Sequence, residues 1–304
     1  MIQRGKKLEA ELAALCDRNR DGSFSTQSNR RAILEQMAND LARANFDIRK
    51  MSAHDIKGRH VRALVNVWQA KELSTATMKN RLAVLRWWAD KVGNPGAVWS
   101  NEKLGIDNRV YVTNTDKALS LETIDLSKTD EFVSCSLELQ QEFGLRREEA
   151  MKFQPEYALQ GSGPDSVERI KIKGSWTKGG RERFIPVTTQ KQRVALARAR
   201  DMARGGSLIP PEKSYKTHLS IFEAHTAAAG IGRTHGLRHL FAQRRYQELT
   251  GGMMPPALLL DAERRRRLSD EEKVLDKNAR EIISAELGHG RTAITSAYLG
   301  SWGR

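Results

Sequence analysis

The chain has 304 residues, and its 51 Lys and Arg against 37 Asp and Glu give a formal net charge of +14. This length predicts two domains and excludes a fold that depends on disulfides or a metal for its core. The cysteines Cys16 and Cys135 lack framework spacing, and no run of about 18 apolar residues could span a membrane, so we expect a cytoplasmic protein. The positive charge favours a polyanionic partner, either DNA or RNA.

The first third of the chain has helical periodicity. Ser28 and Asn29 predict an N-cap, and Gly93 with Pro95 predicts a helix end. Between them, apolar residues recur three and four positions apart, as on one face of a helix: Leu34, Met37, Leu41, then Val61, Leu64, Val65, Trp68, then Met78, Leu82, Leu85, Ala89 and Val92. The pattern predicts a helical domain over 1–105.

Three basic residues lie on the opposite face of the last of these helices: Lys79, Arg81 and Arg86. Charged residues are common on solvated helix faces, so this position alone does not indicate function. In a chain this basic, we interpret them as candidate phosphate contacts.

The helical period stops at a segment rich in Gly, Asn and Asp, which predicts a linker over 106–121. Residues 122–304 then predict a second domain, mainly α with a small antiparallel β-sheet turned at Gly179-Gly180. Its expected elements are a helix near 147–153, strands over 167–172 and 183–187, helices near 189–203, 214–229, 236–249 and 279–287, and a last helix that carries Tyr298.

Within the second domain, 251–280 has the composition of an insertion. A Pro-Pro break precedes a run of four arginines, Arg264–Arg267. Such a run is either a solvated charged loop or an added contact to DNA or to another subunit, and the sequence leaves both open.

Four short motifs carry reactive side chains. None is specific alone, because each of these residue types is common in surface ion pairs, turns or packed helices. In chain order they are GLRREEA with Arg146 and Glu149, TKGGRERFIPV with Lys178, HGLRH with His235, Arg238 and His239, and LGHGRTAITSAYL with His289 and Tyr298.

In this order, the motifs resemble the active-site signature of the tyrosine recombinases, the phage-type integrases, across residues 122–300. The helical first third similarly resembles that family's DNA core-binding domain. The resemblance implies an α+β catalytic domain that cleaves and rejoins DNA through a 3′-phosphotyrosine and a Holliday junction, without metal, ATP or other cofactor. It also implies double-stranded recombination sites as partners, a homotetramer on two such sites, accessory DNA-bending proteins as further partners, and no membrane.

The resemblance assigns Arg146, Arg238 and His289 to the phosphate and Tyr298 to nucleophilic attack. Arginine suits this task because its planar fork of donors matches phosphate oxygens better than the point charge of lysine. A preorganised histidine adds hydrogen bonding where negative charge develops, and a tyrosyl phosphate conserves the energy of the cleaved bond.

The remaining residues have proton-transfer or supporting roles. The departing 5′-oxygen needs a proton, for which Lys178 is the expected general acid. His235 is expected to orient the tyrosine or accept its proton. Glu149 is expected to hold the arginines in place, and His239 is counted as supporting.

Three alternatives remain open. His235 and His239 have the i, i+4 spacing of a helical zinc pair, although no Glu lies between them as in HExxH. A type IB topoisomerase uses similar chemistry. A catalytically idle DNA-binding protein could retain the same fold.

Overall fold

The computed structural model describes residues 7–159, 168–177 and 179–303. These divide into two compact units, the first ending at Val110 and the second beginning at Tyr111. Lys178 and the first residue of the predicted strand, Val167, lie outside the described residues. No helix in these ranges is long and apolar enough to cross a membrane.

The first unit is helical. Every apolar residue of the predicted periodic pattern is buried except Val92, which is partly buried and packs against the same core. Its helices are α1 Lys7–Arg18, α2 Phe24–Arg43, α3 Gly58–Ala70 and α4 Thr75–Lys91.

The predicted cap at Ser28 and Asn29 is wrong, because α2 begins at Phe24 and both residues lie inside it. The N-cap is Ser23, whose hydroxyl accepts a hydrogen bond from the backbone N–H of Thr26 at 3.2 Å. The first turns of α2 are exposed and, apart from Phe24, polar, so apolar periodicity could not locate the start of the helix.

A buried carboxylate joins three helices of this unit. Asp40 on α2 is 0% exposed and accepts hydrogen bonds from Trp68 Nε1 at 3.0 Å, Lys71 Nζ at 2.5 Å and Arg81 Nη1 at 3.3 Å. Burial opposes ionisation, but the hydrogen bonds from Lys71 and Trp68 hold the pKa of Asp40 below its usual value.

The second unit confirms the predicted class, mainly α with a small sheet. Two antiparallel strands pair Ile170 with Ile185. The elements in chain order are α5 Glu131–Phe143, α6 Arg147–Met151, α7 Pro155–Ala158, β1 Arg169–Ile172, β2 Arg183–Pro186, α8 Gln190–Ala203, α9 Tyr215–Ala228, α10 His235–Leu249, α11 Asp261–Arg264, α12 Asp270–Glu286 and α13 Ser296–Leu299.

The helix predicted over 279–287 is longer than expected, because α12 begins at Asp270. Ser269 caps it: its hydroxyl accepts from the Glu272 N–H, and the Glu272 carboxylate accepts from the Ser269 N–H. This reciprocal capping box and three acidic residues in the first turn favour a helix start. The last part of 251–280 is therefore helix, not loop.

Gly144 turns the chain from α5 into the segment that carries Arg146. Its φ is +58°, which favours glycine. A Cβ at this position would lie 2.5 Å from Phe241 Cδ1 and 2.9 Å from Leu287 Cδ2. The close approach of α10 and the end of α12 to this turn therefore requires the absence of a side chain.

We predict that Gly144→Ala lowers the free energy of unfolding of the full chain by about 2–4 kcal/mol, from overpacking and backbone strain together. Gly251→Ala is the matched control, because Gly251 has φ +67° with nothing within 4 Å of a Cβ, so strain alone should cost about 1 kcal/mol. Urea unfolding measures both. Equal losses from the two variants would contradict the packing argument.

Candidate active site

Tyr298 lies on the short helix α13 with only 6% of its surface exposed. Its hydroxyl oxygen is 3.3 Å from Arg238 Nε and 3.2 Å from His235 Nε2. Since the arginine can only donate, the tyrosine oxygen accepts from Arg238, which leaves its O–H to be donated to His235. The hydroxyl therefore contacts a guanidinium on one side and an imidazole nitrogen on the other.

Three histidines surround the tyrosine ring, with centroid distances of 4.6 Å for His239, 5.3 Å for His289 and 5.6 Å for His235. Desolvation, then the charges of Arg238 and Arg146, lowers the pKa of His235. Burial and His235 lower the pKa of His239 to about 4. Both rings are therefore neutral near pH 7, so His235 can accept the tyrosine proton.

Arg238 is 1% exposed on α10. Its Nη1 donates to the carbonyl of Gly144 and its Nη2 to the carbonyl of Leu287, so it is held by two separate turns. Its Nη2 also lies 3.3 Å from His289 Nε2. Burial lowers the pKa of Arg238 to about 10, so it remains charged at neutral pH.

His289 follows the end of α12, where its N–H donates to the Ser284 carbonyl at 2.9 Å. Burial, then the charges of Arg238, Arg146 and Arg183, lowers the pKa of His289 to about 3. The ring is therefore neutral at physiological pH. Its Nδ1 is buried and has no hydrogen-bond partner among the described residues.

Glu149 is fully buried and bridges two arginines. Its Oε1 accepts from Arg146 Nη1 at 2.8 Å and Arg183 Nη1 at 3.1 Å, and its Oε2 accepts from Arg183 Nη2 at 2.7 Å. The backbone N–H of Arg146 also donates to Oε2 at 2.8 Å. Burial opposes the charge, but the hydrogen bonds and charges of the arginines lower the pKa of Glu149 to about 2.

Arg183 was missed by the sequence analysis, which placed it only within a strand. It begins β2, is 6% exposed, and its Nε donates to the Glu286 carbonyl at 2.7 Å. The available signal was alternation: Arg183 shares the buried face of β2 with Ile185, while Phe184 between them is 44% exposed. An arginine on the inward face of a strand requires a buried partner.

A groove of about 820 Å³ opens beside this cluster. Arg146, Arg147, Arg233 and His235 contribute to its lining. Arg147 and Arg233 were not among the predicted residues. Arg146 is half-buried, so one side of its guanidinium contacts Glu149 while the groove gives access to the other. Glu223 also lines the groove and pairs with Arg147 at 2.9 Å, so the lining has three arginines and one carboxylate.

The candidate DNA contacts of the first unit make structural contacts. Arg81 binds the buried Asp40, and Arg86 Nη2 donates to Asn101 Oδ1 at 2.7 Å and to the Trp99 carbonyl at 3.1 Å. Lys79 is 3.4 Å from Asn108 Oδ1.

The arginine run at Arg264–Arg267 is partly engaged within the unit. Arg264 is buried and binds the Leu259 carbonyl and Asp261, and Arg266 forms a two-pronged pair with Glu272 at 2.9 and 2.7 Å. Arg264 and Arg266 therefore bind neighbouring residues of the same segment, Leu259, Asp261 and Glu272.

The paired histidines of the zinc alternative lie with ring centroids 5.5 Å apart. Across the described ranges, no group of three or more His, Cys, Asp or Glu is arranged to hold a metal ion.

Two family models match the sequence. One, described as phage integrase, N-terminal, matches residues 5–95, and the other, described as integrase, matches 109–244. Their order along the chain follows the two units. No curated protein sequence matched.

Solved structures share the fold. A lambda integrase dimer bound to a COC′ core site is 16% identical with a TM-score of 0.59, covering 96% of each chain. XerH recombinase in its post-cleavage complex with a palindromic difH substrate is 16% identical with a TM-score of 0.54, covering 95% of this chain and 80% of that one. The Tn1549 transposon integrase in complex with circular intermediate DNA is 12% identical with a TM-score of 0.53, covering 97% and 96%.

We predict that Arg183→Met destabilises the chain by about 3–5 kcal/mol, because it leaves the Glu149 carboxylate buried with one cation instead of two. Arg193→Met is the matched control: its pair with Glu168 is about half exposed, so its loss should cost at most about 1 kcal/mol. Adding Glu149→Gln should recover part of the Arg183→Met loss in urea unfolding, since the buried carboxylate that lost its partner is then neutral. A double variant as unstable as the sum of both single variants would count against this account.

Proposed function

Because this chain belongs to the tyrosine recombinase family of phage-type integrases, we propose that it is a site-specific recombinase that cleaves and rejoins DNA through a 3′-phosphotyrosine. The observation that carries the proposal is the placement of the Tyr298 hydroxyl between Arg238 Nε and His235 Nε2. The residues of the site then have two tasks in one phosphoryl transfer: some move bonds and protons, and others stabilise the transition state.

In the first task, the Tyr298 oxygen attacks phosphorus while its proton passes to His235. The new bond joins the tyrosine oxygen to the 3′-phosphate, and the bond from phosphorus to the 5′-oxygen breaks. Lys178 protonates that leaving oxygen. Rejoining reverses these steps when a 5′-hydroxyl attacks the phosphotyrosine, so no ATP or other cofactor is consumed.

In the second task, the transition state is stabilised by donors that are already oriented. Arg146 reaches the phosphate from the groove, held by Glu149, which is in turn fixed by Arg183. A non-bridging oxygen would take the place of the contact between Arg238 Nη2 and His289 Nε2 and accept from both, with His289 then carrying its proton on Nε2. Preorganised donors of this kind need little rearrangement as negative charge develops.

Double-stranded recombination sites are the proposed partners. The net charge of +14 favours binding to the phosphate backbone, and each of the structural relatives above was solved on DNA. By family analogy, four protomers assemble on two sites, exchange strands through a Holliday junction and receive help from accessory DNA-bending proteins.

The alternatives differ in measurable products. A catalytically idle DNA-binding protein would form no covalent adduct. A type IB topoisomerase would relax supercoiled DNA without exchanging strands between two duplexes. A recombinase would form the adduct and also yield exchanged strands, so the two assays together separate the three functions.

We predict that Tyr298→Phe abolishes the covalent adduct while the fold and the DNA affinity are retained, because only the attacking oxygen is lost. The substrate is duplex DNA selected by the protein from a randomised pool and nicked near its centre, so that a released fragment prevents rejoining. Denaturing gels detect the adduct. Tyr215→Phe on α9 is the control for loss of a tyrosine hydroxyl outside the site. Adduct formed by Tyr298→Phe would place the nucleophile elsewhere.

We predict that Lys178→Ala slows cleavage of ordinary DNA by about 10²–10⁴-fold, the usual loss for a removed general acid. Sulfur in place of the bridging 5′-oxygen leaves without protonation, so the same variant should cleave that substrate at nearly the wild-type rate. Lys173→Ala, which removes a lysine from the same hairpin, should behave as wild type on both. An equal defect of Lys178→Ala on both substrates would mean that another group supplies the proton.

A further inference from the structure

Residues 114–119, here named the strap, form the second half of the segment predicted as a linker. They have no regular secondary structure, yet they make defined contacts within the second unit. Those contacts go to two places: the chain that follows Tyr298, and the first turn of α10, which carries His235.

Asn114 makes the first contact. Its Oδ1 accepts a hydrogen bond from the backbone N–H of Ser301 at 2.8 Å, three residues beyond the nucleophile. The φ of Asn114 is +49°, a conformation that Asn tolerates better than most residues. A Cβ on Gly300 would lie 2.9 Å from the same Oδ1, so the glycine permits this close approach.

The chain after Tyr298 is also held from α12. Arg280 Nη1 donates to the Gly300 carbonyl at 3.1 Å, and Trp302 Nε1 donates to Asp276 Oδ1 at 3.1 Å. The Gly303 N–H donates to the Arg264 carbonyl at 3.0 Å. The turn after the nucleophile is therefore held by α12, by the segment around Arg264 and by the strap.

The strap makes its second contact at Gly236. The Leu119 N–H donates to the Gly236 carbonyl at 3.0 Å. A Cβ on Gly236 would lie 2.6 Å from Leu119 Cβ and 2.9 Å from the Lys117 carbonyl oxygen. The residue next to His235 therefore lies directly against the strap, and Asp116 adds a 2.9 Å hydrogen bond from Gln243 on the same helix.

We propose that the strap positions the nucleophile and its proton acceptor relative to each other, with Asn114 as a positioning residue for Tyr298. The 3.2 Å separation between Tyr298 and His235 joins two short elements, α13 and the start of α10. The strap contacts the turn that ends α13 and the first turn of α10, so one segment acts on the distance between them. The catalytic part of this inference rests on the proposed function.

The experiment compares full-length Asn114→Gly, which keeps the backbone conformation and removes the acceptor, with Asn114→Asp, which keeps an acceptor oxygen. Asn45→Gly is the matched control, because Asn45 is an exposed asparagine with φ +64° in the first unit. Two readouts are taken: amide hydrogen exchange at Ser301, and single-turnover adduct formation at saturating concentrations of the nicked duplex.

For Asn114→Gly, we expect Ser301 exchange to accelerate about 3- to 10-fold, the equivalent of one hydrogen bond. Adduct formation should slow by a similar factor or more, while DNA affinity and melting temperature stay at the Asn45→Gly level. Asn114→Asp should restore both readouts. Unchanged exchange would overturn the inference whether or not the protein cleaves DNA, and unchanged cleavage with faster exchange would overturn the positioning role.

Gly236→Ala tests the second contact. Alanine has a higher helix propensity than glycine, so a loss of adduct formation cannot come from weaker helix propensity. We expect slower cleavage and faster Ser301 exchange, because the new methyl group displaces Leu119. Slower cleavage with unchanged exchange would overturn the idea that the two contacts act through one segment. If wild type itself forms no adduct, the proposed function fails, while the exchange results still test whether the strap fixes the turn.

Discussion

The carboxylate of Glu149 is the constraint on which this site depends. Arg146 and Arg183 both bind it away from bulk water, and their charges could not lie so close together without it. The two arginines have different further contacts. Arg146 faces the groove, and Arg183 donates to the end of α12 and so holds β2 against that helix. The Glu149 carboxylate therefore fixes Arg146 beside the groove and also holds the hairpin against the helix that leads to His289.

The spacing of apolar residues along the chain was enough to predict the buried helix faces and the strand pair. The apolar positions of α3 and α4, from Val61 to Ala89, were predicted from their spacing and are buried. The strand pair was predicted from alternation around Gly179-Gly180. Among the candidate site residues, Tyr298 lies within hydrogen-bond distance of His235 and Arg238, and Arg146 and Glu149 bond to each other. Their catalytic roles stay predictions.

The roles of Arg183 and Asn114 were not predicted, because both residues contact positions that are distant in the sequence. Arg183 meets a carboxylate 34 residues earlier in the chain, and Asn114 meets an amide 187 residues later. No periodicity encodes such pairs. The structural contact of Arg81 was missed for the same reason, because the burial of its distant partner Asp40 could not be inferred from spacing.

The start of α12 was missed for another reason. Its first turn is acidic, and the apolar residues Val274 and Leu275 of the next turn are exposed, so the buried apolar face begins only at Ala279. The capping box at Ser269 was the local signal that could have located it.

Arg238 illustrates how donor number, as distinct from charge, can dictate a residue type. Arginine has five N–H groups, and four contacts within the chain engage at most four of them, to Gly144, Leu287, Tyr298 and His289. A lysine would bring the same charge, but its three N–H groups lie on a single atom and are too few for these four contacts. At position 238, the number and the spacing of the donors therefore require arginine to complete the interior of the protein.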